Sequence, residues 1–412
     1  MADPTLFSKP ATRNLNRPRR ASADREKNGE LEELNQDEDS AGREDRPDVG
    51  GRSGIWSSLF NRGAVSGVLN GFNTCRDDIA VALGGDQVYV ASKLKPEARC
   101  YDAAMAVSTA RGEVLAVGRK AAAMRGLEPQ NVRAFPVLRH GVPLRPRDFG
   151  AYIRELLRQH FEARFLFRPF VLCSGNFGNA VAGRMVRDAF AQAGAREVVL
   201  CDAEIAAACG LGLKVFEPEL TSVLLLERDW MGFMVISMGS CVAGVRLPFG
   251  VLHLVEDLAI QLQEKQGFAP KFDDLLKSFL AEGLPGVRKL SGWEAWGDQI
   301  EKGRPKELEI DESFVREAFS PMLLRLKYSL SNALESATRE QRWTVERSPI
   351  HLAGSGVIVP GIAEMLESLF GRKLVIRQEA EWAACHGLLA LLPERQLLKK
   401  LELARVRTDV LA

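Results

Sequence analysis

Three short stretches of the sequence bring together residue types that could bind or hold charge. Gly84-Gly85-Asp86 sits between two apolar runs. Glu227-Arg228-Asp229-Trp230 follows Leu225-Leu226 and offers two acids. Gly354-Ser355-Gly356 joins the apolar run Ile350–Ala353 to a helical stretch. Glycine lacks a Cβ, so such turns let backbone lie close to a phosphate or a base. A carboxylate can hold a hydrated cation. Each feature also has an ordinary use: a glycine-rich strand-to-helix turn is common in α/β proteins, and an acidic pair without a cation repels an anionic ligand. Metal and disulfide chemistry are not expected. The seven cysteines (75, 100, 173, 201, 209, 241 and 385) form no Cys-x-x-Cys pair, and the five histidines do not cluster with them. Odd count and scattered spacing favour a reducing compartment and no metal site.

Positioning these stretches requires a sizeable scaffold, and 412 residues suffice for two or more ordinary domains. Hydrophobic residues make up 46% and charged residues 26%, a globular composition. Basic and acidic residues nearly cancel, 55 against 54, so no global field recruits nucleic acid. No apolar run is long enough to span a bilayer and the N-terminus is polar, so a cytoplasmic protein is expected. Residues 1–52 split into a basic and an acidic half with few large apolar groups, and a disordered charged tail is expected there. In 53–72, Ile55, Trp56, Leu59 and Phe60 fall on one helical face. This segment suits either contact with a membrane surface, at the inner face of the cell membrane, or packing on the protein's own core.

From residue 75 onward, apolar runs alternate with helical patterns, which predicts sheets covered by helices. A strand, a Gly84-Gly85 turn and a second strand are expected over Ile79–Val90. Buried strands are expected at 169–173 and 197–201, a small-residue helix at 203–209, and a three-strand meander across 223–247. Residues 283–310 read as irregular, 314–337 as a long helix, and the end as strand, turn, helix, strand and helix. Two such blocks predict lobe I (75–200 plus 372–395) and lobe II (201–371), with a helix at 396–412 and a ligand cleft between the lobes.

The order of these elements and several phrases resemble the bacterial actin homologue MreB, within the actin/Hsp70/sugar-kinase superfamily. The phrases are Gly112-Glu113-Val114-Leu115-Ala116-Val117-Gly118-Arg119, Gly194-Ala195-Arg196-Glu197-Val198 with Ala206-Ala207-Ala208-Cys209-Gly210-Leu211-Gly212-Leu213, Ile236-Ser237-Met238-Gly239, and Leu352-Ala353-Gly354-Ser355-Gly356 before Pro360-Gly361-Ile362. They lie in one collinear series over residues 76–395. The resemblance implies an actin-like two-lobed α/β fold, each lobe a mixed sheet covered by helices. It also implies ATP and a divalent cation between the lobes, and membrane-attached filaments that organise wall synthesis.

The residues at the implied pocket depart from that pattern. Where the first phosphate loop of the family carries an acid, this chain has Ala82, although Gly84 and Gly85 keep a turn. Leu225 stands in place of the second loop's acid, no loop glycine remains, and Trp230 takes up space. Ala182 stands where the family's water-positioning glutamate belongs. On the adenosine side, Gly354, Ser355 and Gly356 keep their turn, and Lys277 matches a family lysine near the ribose. The resemblance therefore implies a filament subunit or scaffold in cell-shape organisation. Self-association or co-assembly with an authentic MreB-type filament is expected, with no catalytic residues, no metal and little or no ATP hydrolysis. Two alternatives stay open: an ATPase with a rewired pocket, binding ATP and Mg²⁺ through Glu227 or Asp229, and a monomeric membrane-associated adaptor.

Overall fold

The computed structural model describes residues 77–127, 131–161, 169–178, 180–283, 292–299, 304–394, 396–398 and 401. The charged tail, the amphipathic segment with Ile55, Trp56, Leu59 and Phe60, and most of the expected C-terminal helix lie outside the described residues. Every described residue belongs to one compact unit, Leu59–Ala412.

The first half of that unit begins with β1 (Ile79–Leu83), β2 (Gln87–Ser92), β3 (Arg99–Asp102), β4 (Ala104–Ser108) and β5 (Val114–Val117). There follow α1 (Arg119–Met124), β6 (Val132–Pro136), a small hairpin of β7 (Leu138–Arg139) and β8 (Val142–Pro143), and α2 (Pro146–Phe161). Then come β9 (Phe170–Gly175), α3 (Ala180–Gln192), β10 (Glu197–Asp202) and α4 (Ala203–Gly210). Five strands make a mixed sheet in the order β10-β9-β1-β2-β3, parallel at β10/β9/β1 and antiparallel onward. β1 and β9 are buried throughout, as central strands covered on both faces must be. One cover is α2, whose buried Phe149, Tyr152, Ile153, Leu156 and Leu157 recur at helical spacing and join Ile79, Val81 and Val171 in one core.

The second half runs through β11 (Thr221–Leu226), β12 (Met231–Ser237), β13 (Ser240–Leu247), α5 (Val251–Gln266), β14 (Phe268–Pro270) and α6 (Phe272–Glu282). It continues with β15 (Gly292–Gln299), β16 (Arg304–Asp311), α7 (Glu312–Glu335), α8 (Arg339–Arg347) and β17 (Ile350–Ala353). It ends with α9 (Ile362–Phe370), β18 (Leu374–Ile376) and α10 (Ala383–Leu391). Here the sheet order is β13-β12-β11-β17-β18, and the meander β11–β13 is the expected one. Two expectations need correction. Residues 283–310 are not irregular throughout: β15 and β16 form an eight-pair antiparallel hairpin from Gly292↔Asp311 to Gln299↔Arg304. And β18, expected with lobe I, pairs in parallel with β17 in the second sheet, because Leu374 completes that sheet's buried edge.

Helices α4 and α10 pack in backbone contact. A Cβ on Gly387 would lie 1.8 Å from the Ala206 carbonyl oxygen, and one on Gly210 would lie 1.9 Å from that of Ala383. Small residues on both helices permit this approach. Cys385 and Leu388 of α10 share a core with Ala80, Ala82 and Leu172 of the first sheet and with Val223 and Met234 of the second. One apolar layer therefore reaches both sheets and fixes the turns that face one another above it. The result is an actin-like fold of two lobes, each a mixed sheet covered by helices.

Candidate functional site: the cleft between the two sheets

Four turns converge where the sheets meet: β1–β2, β7–β8, β11–β12 and the turn after β17. The first and third end antiparallel pairs, so their tips project beyond the sheets. In the β1–β2 turn the Gly84 N–H donates to Gln87 O at 2.9 Å. A Cβ on Gly84 would lie 3.1 Å from Glu227 Oε2. One on Gly85 would lie 1.9 Å from Asp229 Oδ1, and one on Gly354 would lie 3.1 Å from Glu227 Oε1. Gly354 also has φ of +99°, a conformation that favours glycine. The glycines at these turns thus make room for the protein's own carboxylates.

Glu227 is buried, and Ser355 Oγ donates to its Oε2 at 2.6 Å. Burial pushes the Glu227 carboxyl up to about 7; the Ser355 hydrogen bond opposes this and the Asp229 charge adds to it. Asp229 accepts a 2.6 Å hydrogen bond from the His140 backbone N–H on Oδ2, and its own carbonyl oxygen meets His140 Nδ1 at 2.6 Å. Asn176 Nδ2 holds the His140 carbonyl at 2.9 Å. The His140 ring stacks on His253, whose Nδ1 accepts from Gly250 N–H, and burial keeps the His253 pKa below its ordinary value. Arg228 Nε lies 3.4 Å from Asp86 Oδ1. Burial raises the Asp86 pKa, the Arg228 charge counters it, and Asp229 reinforces it. Trp230 is fully buried beneath these groups. Asp86 Oδ1, Arg228 Nε, Asp229 Oδ1 and Trp230 Nε1 have no hydrogen-bond partner, so Asp86 and Arg228 meet as an ion pair only and the packing is reached at some polar cost.

A second charged group lies beside the first. Arg246 of β13 donates through Nε and Nη2 to both oxygens of Glu204, each at 2.7 Å, and through Nη2 to Asp202 Oδ1 at 2.8 Å. Burial alone would lower the arginine pKa; Glu204 and Asp202 outweigh it and hold the guanidinium charged.

The residues singled out in the sequence distribute unevenly. Gly84, Gly85, Gly354 and Ser355 meet around Glu227 and Asp229, whereas a Cβ on Gly356 would press on Leu226 and Val251. Ala82 is buried in β1 opposite Tyr89 and Ser174, Leu225 is buried in β11 beside Gly232 and Ala353, and Ala182 is buried in α3. The Lys277 side chain is 77% exposed and pairs with Asp274 one turn earlier. His140, Asn176, Asp202, Glu204 and Arg246 escaped the sequence reading, since nothing local marks contacts made across 36 to 89 positions. Among the described residues, no group of three or more His, Cys, Asp or Glu side chains could hold a metal ion. No helix among them is long and apolar enough to cross a membrane.

Comparison with known proteins gives a consistent placement. Residues 76–400 match the family model described as MreB/Mbl protein. The cell shape-determining protein Mbl of Bacillus cereus (strain ATCC 10987 / NRS 248) is 24% identical over 298 residues, 70% of this chain and 87% of its own length. The cell shape-determining protein MreB of Escherichia coli (strain K12) is 25% identical over 285 residues, 66% of this chain and 80% of its own. Among solved structures, MreB 5 of Spiroplasma citri bound to AMPPNP superposes with a TM-score of 0.70 at 17% identity, covering 79% of this chain and 98% of that one. The MamK double helical filament gives 0.62 at 15% identity, covering 77% and 99%. With an actin-like fold and a family match over most of its length, the chain belongs to the MreB/Mbl family.

Proposed function

We propose that this protein is a cytoskeletal subunit or scaffold acting in cell-shape organisation, whose inter-lobe cleft neither hydrolyses ATP nor depends on it. The cell-shape role comes from the names of its Mbl and MreB relatives, and assembly from the MamK filament that shares its fold. The observation that carries the second half is the placement of Glu227 and Asp229: their oxygens lie against Gly84, Gly85 and Gly354. A triphosphate brought to those turns would meet carboxylates at van der Waals distance. Ala82, Leu225 and Ala182 bring apolar side chains to the positions that the resemblance assigns to catalytic acids. Phosphoryl transfer relies on positioned charge, and losing one such group typically costs about 10²–10³ in rate.

Electron microscopy and sedimentation of the purified full chain, with and without ATP–Mg²⁺, test the assembly reading, as does mixing with an authentic MreB. We expect polymer, alone or mixed, in equal amount whether or not ATP is present; neither self-assembly nor co-assembly under any condition would end the reading. Membrane contact is proposed for the segment with Ile55, Trp56, Leu59 and Phe60. Deleting residues 53–72 should abolish co-sedimentation with anionic vesicles, and unchanged co-sedimentation would remove the segment from that role.

A further inference from the structure

Three polar contacts tie the first half to the second sheet: two ion pairs and one set of hydrogen bonds. Asp86 belongs to the β1–β2 turn of the first sheet and Arg228 to the β11–β12 turn of the second; they pair at 3.4 Å. His140, in the β7–β8 turn, grips Asp229 of the same β11–β12 turn through its backbone N–H and its ring. Arg246, on the edge strand β13, reaches Asp202 at the end of the edge strand β10. Two contacts thus join turn tips at adjacent residues of the β11–β12 turn and the third joins sheet edges, two points along one seam.

We propose that Asp86–Arg228, His140–Asp229 and Asp202–Arg246 form an intramolecular clasp that fixes the two lobes relative to each other, in the role a bound nucleotide would otherwise fill. The idea rests on the reading of the cleft given above. It goes beyond the loss of hydrolysis, because it says what holds the lobes together. Several features favour a clasp over incidental surface pairing. The paired side chains are themselves mostly buried, with Arg228 and Asp86 24% and 33% exposed and Arg246 and Asp202 20% and 17%, so water screens them less than pairs on an open surface. Arg246 engages Glu204 through two parallel hydrogen bonds, which sets its direction toward Asp202. His140 is itself anchored by Asn176, so its hold on Asp229 is braced from the first lobe. Gly85 and Gly141 remove the side chains that would keep the turns apart: a Cβ on Gly141 would lie 2.9 Å from Trp230 Nε1 and 3.2 Å from Gly84 O.

Amide hydrogen exchange on the full chain tests the clasp, because local opening is read segment by segment. We expect Arg228→Gln to speed exchange of the β1–β2 turn, across the seam, by about tenfold or more, corresponding to at least about 1.4 kcal/mol of opening free energy. Asp86→Asn should do the same to the β11–β12 turn, and the double variant should open neither turn further than one single variant does. Arg228→Lys keeps the charge and should keep most of the protection, which separates the clasp from a general loss of folding. Unchanged exchange across the seam in Arg228→Gln, or additive effects in the double variant, would overturn the proposal. Repeating the wild-type measurement with ATP–Mg²⁺ isolates the other reading. Added protection by ATP would contradict the ligand-independent cleft, while the variants alone decide the clasp.

Discussion

Glu227 concentrates the chemistry of the cleft in one side chain. Its carboxyl is raised from 4.5 to about 7, chiefly by burial, so the folded protein holds a proton that the unfolded chain releases. Below the unfolded value both states are protonated and the residue is neutral in its effect. As pH rises from 4.5 toward 7 only the unfolded state ionises, and above 7 the folded state bears the full penalty, roughly 3 kcal/mol. Glu227→Gln keeps an oxygen for the Ser355 hydroxyl and removes that penalty. We expect the variant to unfold at higher denaturant than the wild type at pH 8, with the gap closing as pH falls toward 5; a gap independent of pH would contradict the assignment. The acids at 227 and 229 were legible as unusual in the sequence, because they follow an apolar strand where glycines would be expected. Their partners were not, since Ser355 lies 128 positions from Glu227 and His140 lies 89 from Asp229.

At the scale of elements, the pairing of α4 with α10 carries the most specific packing. Gly387→Ala would place a methyl group 1.8 Å from the Ala206 carbonyl oxygen and 2.7 Å from the Gly210 nitrogen, so the helices must separate. Overpacking of this kind costs about 1–3 kcal/mol. Gly178→Ala is the control: its Cβ finds nothing nearer than Asn176 Oδ1 at 3.5 Å. We expect the first variant to lower the denaturation midpoint and the second to leave it within about 0.5 kcal/mol; equal effects would contradict the packing described. Strands with long apolar runs, such as β1, β9 and β11, were readable because burial on both faces leaves continuous hydrophobic sequence. The β15–β16 hairpin was not. Trp-Glu-Ala-Trp-Gly facing Lys-Glu-Leu-Glu-Ile offers no long apolar run, and its pairing is set by register across the hairpin. Likewise α4 was readable as a run of small residues, but nothing local shows that another glycine 177 positions away, Gly387 opposite Gly210, is what the small residues accommodate.

For the whole molecule, two five-stranded sheets lie over a shared apolar layer, and ion pairs and hydrogen bonds within the chain link the turns and edges above it. The lobe framework was legible because alternating strands and helices, in order, leave few topologies open. Of the cleft, the sequence shows only apolar residues at Ala82, Ala182 and Leu225; that Glu227 and Asp229 stand against the glycines appears once the turns are brought together in space. Under the proposed reading, a nucleotide entering among the glycine turns would meet Glu227 and Asp229 there. Isothermal titration of ATP–Mg²⁺ into the full chain is the most direct test. We expect no binding heat at millimolar nucleotide and no phosphate release; micromolar binding with turnover abolished by Glu227→Ala would contradict the account.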